Sequence, residues 1–378
     1  MKKTSPPVRL GRATLAVAAL LSVLATPTWA QLRIGQTAGF SGAVAAGVKE
    51  TTDGAKLYFD AVNAKGGING QKIELESLDD KFDPKLAAEN ARTLINDRQV
   101  LSLFLNRGTP HTQAILPLLD EFKVPLVAPS TGAMALHKPA NPWLFNVRAP
   151  YQRESERAVQ HLSLIGIERI GVVHVDDSFG ADLLEGAQKG FATVGKTPLF
   201  IEKFDRAKPD YSRLAPLVAS SGAQAVLFIG SGAAVADGIA AIRKAGSRAQ
   251  IITNSNNASG GFVKSLGANA TGTIVTQVFP NERSLAAAIV KEAGDLAKAK
   301  GLEGLSPAML EGYAAAKVLV AGLQRAGANP TRAKLRDALE GLKKLDLGGL
   351  ELGYGPNDHT GLEFVDLSII DESGRFRR

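Results

Sequence analysis

The 378-residue sequence has no cysteine. That one count excludes a disulfide framework, a thiolate metal site, a cysteine nucleophile and a lipidated N-terminal cysteine. Histidine is sparse, and His111, His137, His161, His174 and His359 lack the helical spacing of a metal-ligating pair. No metal and no cofactor are expected. A hydrolase elbow is missing too, because Gly39-Phe40-Ser41-Gly42 and Gly230-Ser231-Gly232 both fail the Gly-x-Ser-x-Gly pattern. Gly66-Gly67-x-x-Gly70 has neither the spacing nor the preceding strand of a dinucleotide fingerprint. Asp79, Asp80 and Asp83 lack the glutamate that would complete a calcium loop. Beyond residue 30 no uncharged apolar run reaches the roughly 18 residues of a membrane span, so the body of the chain is expected to be soluble.

What is present is a leader and two cores' worth of apolar residues. Lys2, Lys3, Arg9 and Arg12 precede an apolar stretch from Ala13 to Ala25 and the small-residue site Thr28-Trp29-Ala30. This layout is that of a secretory signal, with cleavage expected after Ala30 and export; a short membrane anchor is the alternative, though the apolar stretch falls short of the roughly 20 residues a span needs. Removing residues 1–30 takes away four basic side chains and lowers the formal charge from +7 to +3. No basic run with interleaved aromatics remains, so no nucleic-acid partner is expected. The full sequence is 45% hydrophobic and 21% charged, and its length is enough for two globular lobes.

Short β-branched runs alternate with amphipathic stretches, the pattern of α/β lobes with doubly wound parallel sheets. Strands are expected at Leu32–Gln36, Lys72–Ser77, Val100–Leu105 and Pro125–Ala128. Val48, Thr52, Ala55, Phe59 and Val62 share one face of a helix that ends near Gly66-Gly67. Asp83-Pro84 reads as an N-cap and first helical residue of a helix running to about Asn96. A second series is expected from Trp143–Val147 through Arg169–Val175, Thr197–Lys203, Ala225–Ile229, Gln250–Thr253 and Gly272–Gln277. Helices over Asn281–Lys300, Pro307–Ala326 and Pro330–Gly341 follow, then short strands around Leu350–Gly353 and Glu363–Ile370. Because these helices are separate from the second β-rich series, the simplest packing returns them to the first lobe. The expected lobes are 31–147 with 278–353, and 148–277 with 354–378.

Several motifs in this order carry a resemblance: Gly66-Gly67-Ile68-Asn69-Gly70, Leu78-Asp79-Asp80, Asp83-Pro84, Val124-Pro125-Leu126-Val127-Ala128-Pro129-Ser130, Arg169-Ile170-Gly171-Val172-Val173 with Phe179-Gly180, and Tyr313-Ala314-Ala315-Ala316. Together they resemble type I periplasmic solute-binding proteins of the branched-chain amino-acid class, over Leu32 to Phe376. The resemblance implies two lobes joined by a three-stranded hinge, no catalysis, a small-molecule ligand in the cleft, and delivery by a monomer to an inner-membrane ABC permease. A sensor presenting its closed form to a receptor is the alternative within that fold. An exported α/β hydrolase is the alternative outside it.

Ligands of open parallel sheets lie beyond the strands' C-terminal ends, near helix N-termini. After Leu105 comes Asn106-Arg107-Gly108-Thr109-Pro110-His111, with Thr109 expected as N-cap and Pro110 as first helical residue. After Ala128 comes Pro129-Ser130-Thr131-Gly132. The resemblance implies that Thr109 and the Thr131-Gly132 turn hold a ligand carboxylate. It also implies an acidic residue after Thr253 in relatives that bind an α-ammonium group, whereas this chain has Asn254-Ser255-Asn256-Asn257. Neutral amides cannot neutralise a cation, so a carboxylate or neutral polar solute is favoured over an ordinary amino acid. Asp176 and Asp177 either supply the missing charge or are solvated. Phe179 either covers the ligand or packs, and Ser231 either approaches the ligand or serves its turn. Trp143, just before Asn146-Val147-Arg148-Ala149, is expected to report hinge closure.

Overall fold

The computed structural model describes residues 1–4 and 31–378. The expected leader and its cleavage point fall outside those residues, apart from the first four. Strand β1 (Leu32–Ala38) is buried along nearly its whole length, as a parallel strand covered on both faces must be. It leads into α1 (Ala45–Ala64), β2 (Ile73–Asp79), α2 (Pro84–Asn96), β3 (Ser102–Phe104), α3 (Thr109–Phe122), β4 (Leu126–Val127) and β5 (Leu144–Phe145). The five strands pair in parallel in the order β2-β1-β3-β4-β5. Asp83 caps α2 by accepting from the amides of Lys85 and Leu86, with Pro84 as the first helical residue, as its sequence demands.

The second lobe holds α4 (Tyr151–Leu164), β6 (Ile170–Val175), α5 (Ser178–Thr193), β7 (Ile201–Phe204), α6 (Leu214–Ser220), β8 (Ala225–Ile229), α7 (Ala233–Lys244), β9 (Gln250–Thr253), α8 (Gly260–Leu266) and β10 (Ile274–Gln277). The chain then forms α9 (Ala288–Ala299), α10 (Pro307–Ala326), α11 (Arg332–Glu340), β11 (Leu345–Asp346), β12 (Glu351–Leu352), β13 (Asp366–Ile370) and β14 (Phe376–Arg377). Strands β13 and β14 return to the second sheet and pair antiparallel at one side of it, β14 outermost, in the order β14-β13-β10-β9-β8-β6-β7. Helices α9–α11 share a buried core with the first sheet: Ile289, Leu310, Tyr313 and Leu335 pack in one cluster with Ile34, Phe104 and Phe145. The chain therefore passes between the sheets three times, after Phe145, after Gln277 and again before Asp366. The molecule is an α/β protein of two lobes.

Two expectations are corrected, and two strands were missed. The strand expected to open the second series belongs to the first sheet, where Leu144 and Phe145 pair with Leu126 and Val127. Its run ends because Asn146–Ala149 must cross to the other lobe. Helix α9 starts at Ala288 rather than Asn281, because the Asn281 side chain takes the Arg283 amide and reaches the Phe376 carbonyl, holding that segment in a turn. Strands β11 and β14 are too short to be read from periodicity.

One close approach fixes where α10 lies. A Cβ on Gly54 would sit 1.9 Å from the Met309 carbonyl oxygen, and one on Gly312 would sit 1.7 Å from that of Thr51. Helices α1 and α10 thus touch backbone to backbone, and this contact sets Glu311 against the loops that follow β3 and β4. Among the described residues no helix is long and apolar enough to cross a membrane.

Candidate ligand-binding cleft between the lobes

Strands β3 and β4 end in a shared backbone device. Leu105 and Ala128, the residues just past them, both have left-handed φ angles, 52° and 54°. A non-glycine residue in that region is strained, and paired strain at two adjacent strand ends marks a site where backbone direction matters. Beyond it the two loops pair again: Arg107 bridges Ser130, and Ser130 N donates to Asn106 O at 2.7 Å. Thr109, Thr131 and Ser130 are thereby held side by side, all buried.

The facing wall comes from the second sheet. Asn254 lies just past β9, and Ser255–Asn257 form one 3-10 turn. Asn257 Oδ1 accepts from Gly232 N at 2.9 Å, and its amide group donates to Gly230 O. A Cβ at Gly232 would lie 1.9 Å from Ala43 O, so here the lobes meet backbone to backbone. Other bonds cross the cleft with polar groups. Ser178 Oγ donates to Gln113 Oε1 at 2.7 Å, Met134 N donates to Asp182 Oδ1 at 2.9 Å, and Glu50 accepts from the amides of Gly260 and Gly261 at 3.0 and 2.8 Å.

At the centre are four charged side chains that sequence reasoning passed over: Arg107, Arg148, Glu154 and Glu311. All are buried. Arg148 Nη2 donates to Glu154 Oε1 at 2.5 Å and also reaches Ser255 Oγ, while its Nη1 lies 3.5 Å from Glu311 Oε2. Its guanidinium sits 4.5 Å above the Tyr151 ring. Burial works against the Arg148 charge, but Tyr151, Glu311 and Glu154 outweigh it and hold its pKa above the ordinary value. Glu154 further accepts from Ser255 N at 3.0 Å, and Glu311 Oε1 accepts from Ser130 Oγ at 2.6 Å. Arg107 donates to Asn256 O at 2.6 Å and to Ser130 Oγ at 3.4 Å, and burial lowers its pKa. The sequence did hold a signal for these groups: Arg148 stands between Val147 and Ala149, and Glu311 interrupts the apolar run of α10.

The residues singled out from sequence are brought together, but several serve other partners. Thr109 is the first residue of α3 rather than its N-cap: Gly108 precedes it at φ 100°, and no side chain caps the helix. The Thr109 hydroxyl instead lies 2.7 Å from that of Thr131. Pro110 fills the first turn of α3. His111 is stacked on Phe82 with ring centroids 4.4 Å apart, and burial pushes its pKa down to about 4. Gly132 abuts the first crossover, where a Cβ would lie 2.5 Å from Ala149 O. Phe179 packs edge-on against Tyr151, with Arg206 5.8 Å from its ring. Ser231 Oγ accepts from Asn256 Nδ2, and Asn254 Nδ2 reaches Ser155 Oγ at 3.4 Å. Asp176 pairs with Lys203, and Asp177 with Arg206. Asp79, Asp80 and Asp83 accept from nearby backbone amides, and among the described residues no acidic or histidine cluster is arranged for a metal. Trp143 is corrected as a hinge reporter. Its partners, Asn141, Leu126 and Arg336, all belong to the first lobe.

Comparison with known proteins places this geometry among relatives. Residues 31–371 match the family model described as periplasmic binding protein. A Leu/Ile/Val-binding protein homolog of Brucella melitensis is 25% identical over 352 residues, spanning 92% of this chain and 94% of that one. A substrate-binding periplasmic protein from Ralstonia solanacearum superposes with a TM-score of 0.85 at 27% identity, over 92% of this chain and 99% of that one. A possible leucine/isoleucine/valine-binding protein from Rhodopirellula baltica gives 0.86 at 27% identity, over 94% and 98%.

Proposed function

Because the chain belongs to the periplasmic binding protein family, whose members hold solutes rather than convert them, we propose that it captures a small polar solute between its lobes and hands it to an ABC permease of the inner membrane. Residues 31–147 with 278–353 form one jaw, and residues 148–277 with 366–378 the other; 354–365, expected in the second, pack on the first through Tyr354, His359 and Leu362, and a monomer works in the periplasm. Thr109, Ser130, Thr131 and Gly132 face the solute from the first jaw. Phe179, Ser231 and Asn254–Asn256 face it from the second.

The observation that carries this reading is the chemistry of the seam. The hydrogen bonds that join the jaws across the cleft, including Arg107 to Asn256, Glu50 to Gly260 and Gly261, Ser178 to Gln113 and Asp182 to Met134, are polar contacts that water can replace at small cost. Three backbone crossings permit rotation about the hinge. The relatives named for leucine, isoleucine and valine support a small solute of that size.

Calorimetric titration with amino acids, organic acids and amides tests the reading, paired with solution scattering. A saturable ligand at one per chain that shortens the radius of gyration is expected. A folded chain that binds none of these solutes rejects solute capture.

A further inference from the structure

The backbone crossings lie beside β5 in the first sheet and beside β10 and β13 in the second, so β2 and β7 are the strands at the far ends of the two sheets. Any rotation about the hinge moves the loops beyond β2 and β7 the most. The loop beyond β2 carries Lys81 and Phe82, whose φ angles of 52° and 60° are both left-handed. Asp79 and Asp80 hold them there, each accepting at 2.9 Å from one of their amides. Consecutive non-glycine residues in that region are strained, and such strain persists only where the surrounding bonds over-determine it. Its result is a half-buried Phe82 ring at the lip of the first jaw, stacked on His111 with centroids 4.4 Å apart.

Arg206 meets that ring from the loop beyond β7. Its guanidinium carbon lies 5.0 Å from the Phe82 centroid and 5.8 Å from that of Phe179, an aromatic of its own jaw, while Nε donates to Asp177 Oδ2 at 2.5 Å. His111 adds no second cation near neutral pH, because burial, reinforced by the Arg206 charge, pushes its pKa down to about 4. When the jaws part, Arg206 keeps Asp177 and Phe179 and loses Phe82 alone. Opening therefore strands no buried charge and uncovers one aromatic face. The polar bonds of the seam exchange with water in kind, whereas a guanidinium is weakly hydrated and an aromatic face pairs poorly with water.

Resting on the two-jaw reading above, we propose that Arg206 and Phe82 form a rim latch, a cation–π contact between the jaws that holds the closed state without touching the solute. Its place at the edge farthest from the hinge makes it the first contact to part on opening and the last to form on closing.

The test needs no ligand, and the absence of cysteine makes it clean, since two introduced thiols are the only ones to carry spin labels. Glu89→Cys on α2 and Lys244→Cys on α7, both exposed, place one label on each jaw of the full mature chain. Pulsed dipolar spectroscopy without added solute should show a short, closed separation in the labelled parent. Arg206→Gln and Phe82→Leu should each reduce its ratio to the long separation by roughly two- to tenfold, the effect of one cation–π contact. The double variant should reduce it no further than either single one, and Phe82→Tyr and Arg206→Lys should retain much of it. Melting is followed in parallel, and the two conservative variants keep the test open if a disruptive one does not fold. A parent found only at the long separation, single variants that keep its ratio, or additive losses in the double variant overturn the latch. Solute capture is decided separately by the calorimetric titration, so a latch that holds in a chain binding no solute would leave the jaws standing and capture rejected.

Discussion

The hydroxyls of Thr109 and Thr131 lie 2.7 Å apart, both buried, one at the start of α3 and the other in the loop beyond β4. One hydroxyl must donate to the other, leaving a single O–H directed elsewhere. The pair therefore ties the start of α3 to the loop after β4. Thr109→Val removes the tie while conserving shape. It should cost about 1 kcal/mol of stability, measured by urea unfolding, because Thr131 is left buried and unpaired. Ligand affinity should fall roughly tenfold in calorimetry. Unaltered affinity with an unaltered midpoint would remove Thr109 from the site.

Glu50 holds the jaws together from outside the centre. Its two carboxylate oxygens accept from successive amides, Gly260 and Gly261, where α8 begins, and Ser259 caps the same turn by accepting from Phe262 N. A carboxylate at unpaired amides is favoured by the local dipole as well as by the bonds. Glu50→Gln should weaken closure by roughly 0.5–1.5 kcal/mol and speed ligand release severalfold in stopped-flow exchange. Because α1 is also held by its backbone contact with α10 and α8 by its Ser259 cap, the melting temperature without ligand should hardly move.

Four buried groups give a pH dependence with opposing signs. Burial lifts Asp80 and Asp182 to about 6, and depresses His111 and His137 to about 4. The raised carboxyls bind protons more tightly folded than unfolded, so their contribution is present below the unfolded pKa and is lost as pH rises toward 6. The depressed histidines bind protons less tightly folded, so theirs is present above the unfolded pKa near 6.5 and is lost as pH falls toward 4. The two trends offset each other, so the summed contribution of these four groups should be nearly flat between about pH 4 and 6. Asp80→Asn removes one carboxyl from the balance. Stability should then rise with pH over that interval by on the order of 1–3 kcal/mol. Parallel slopes for wild type and variant in pH-resolved urea titrations would refute the compensation.

Trp143 should be blind to ligand capture. Its amide donates to Asn141 Oδ1, its carbonyl accepts from Leu126 N, and the Arg336 guanidinium lies 5.9 Å from its ring, so every one of these partners moves with the first lobe. With Trp29 removed or substituted, tryptophan emission should stay constant through a titration that calorimetry shows to saturate. A saturating shift would place a closing segment within reach of the indole.

What the sequence carried by itself was local. The α2 cap is written in Asp83-Pro84, because a carboxylate and a proline suit the unpaired amides of a first turn whatever surrounds them. The alternation of buried runs with amphipathic stretches specified two wound sheets, since parallel strands need helices on both faces. The strand ends, expected at Leu105 and Ala128 and found one residue earlier at Phe104 and Val127, and hence the neighbourhood of the cleft, followed from the same logic. Tertiary structure alone decided which side chains meet there. Glu311 is 181 residues from Ser130, and Arg107 is 149 from Asn256, so neither contact leaves a trace in spacing. The backbone contact of α1 with α10 and the closure of the jaws bring them together. Thr109, expected to cap its own helix, meets Thr131 instead, because the pairing of the two loops beyond β3 and β4 brings a second hydroxyl to 2.7 Å. The charge on Arg107 was visible as a letter, but that it stands buried without a carboxylate is a property of the assembled cleft, since burial and counter-charge are set by what the fold packs around a side chain and not by its neighbours in the chain.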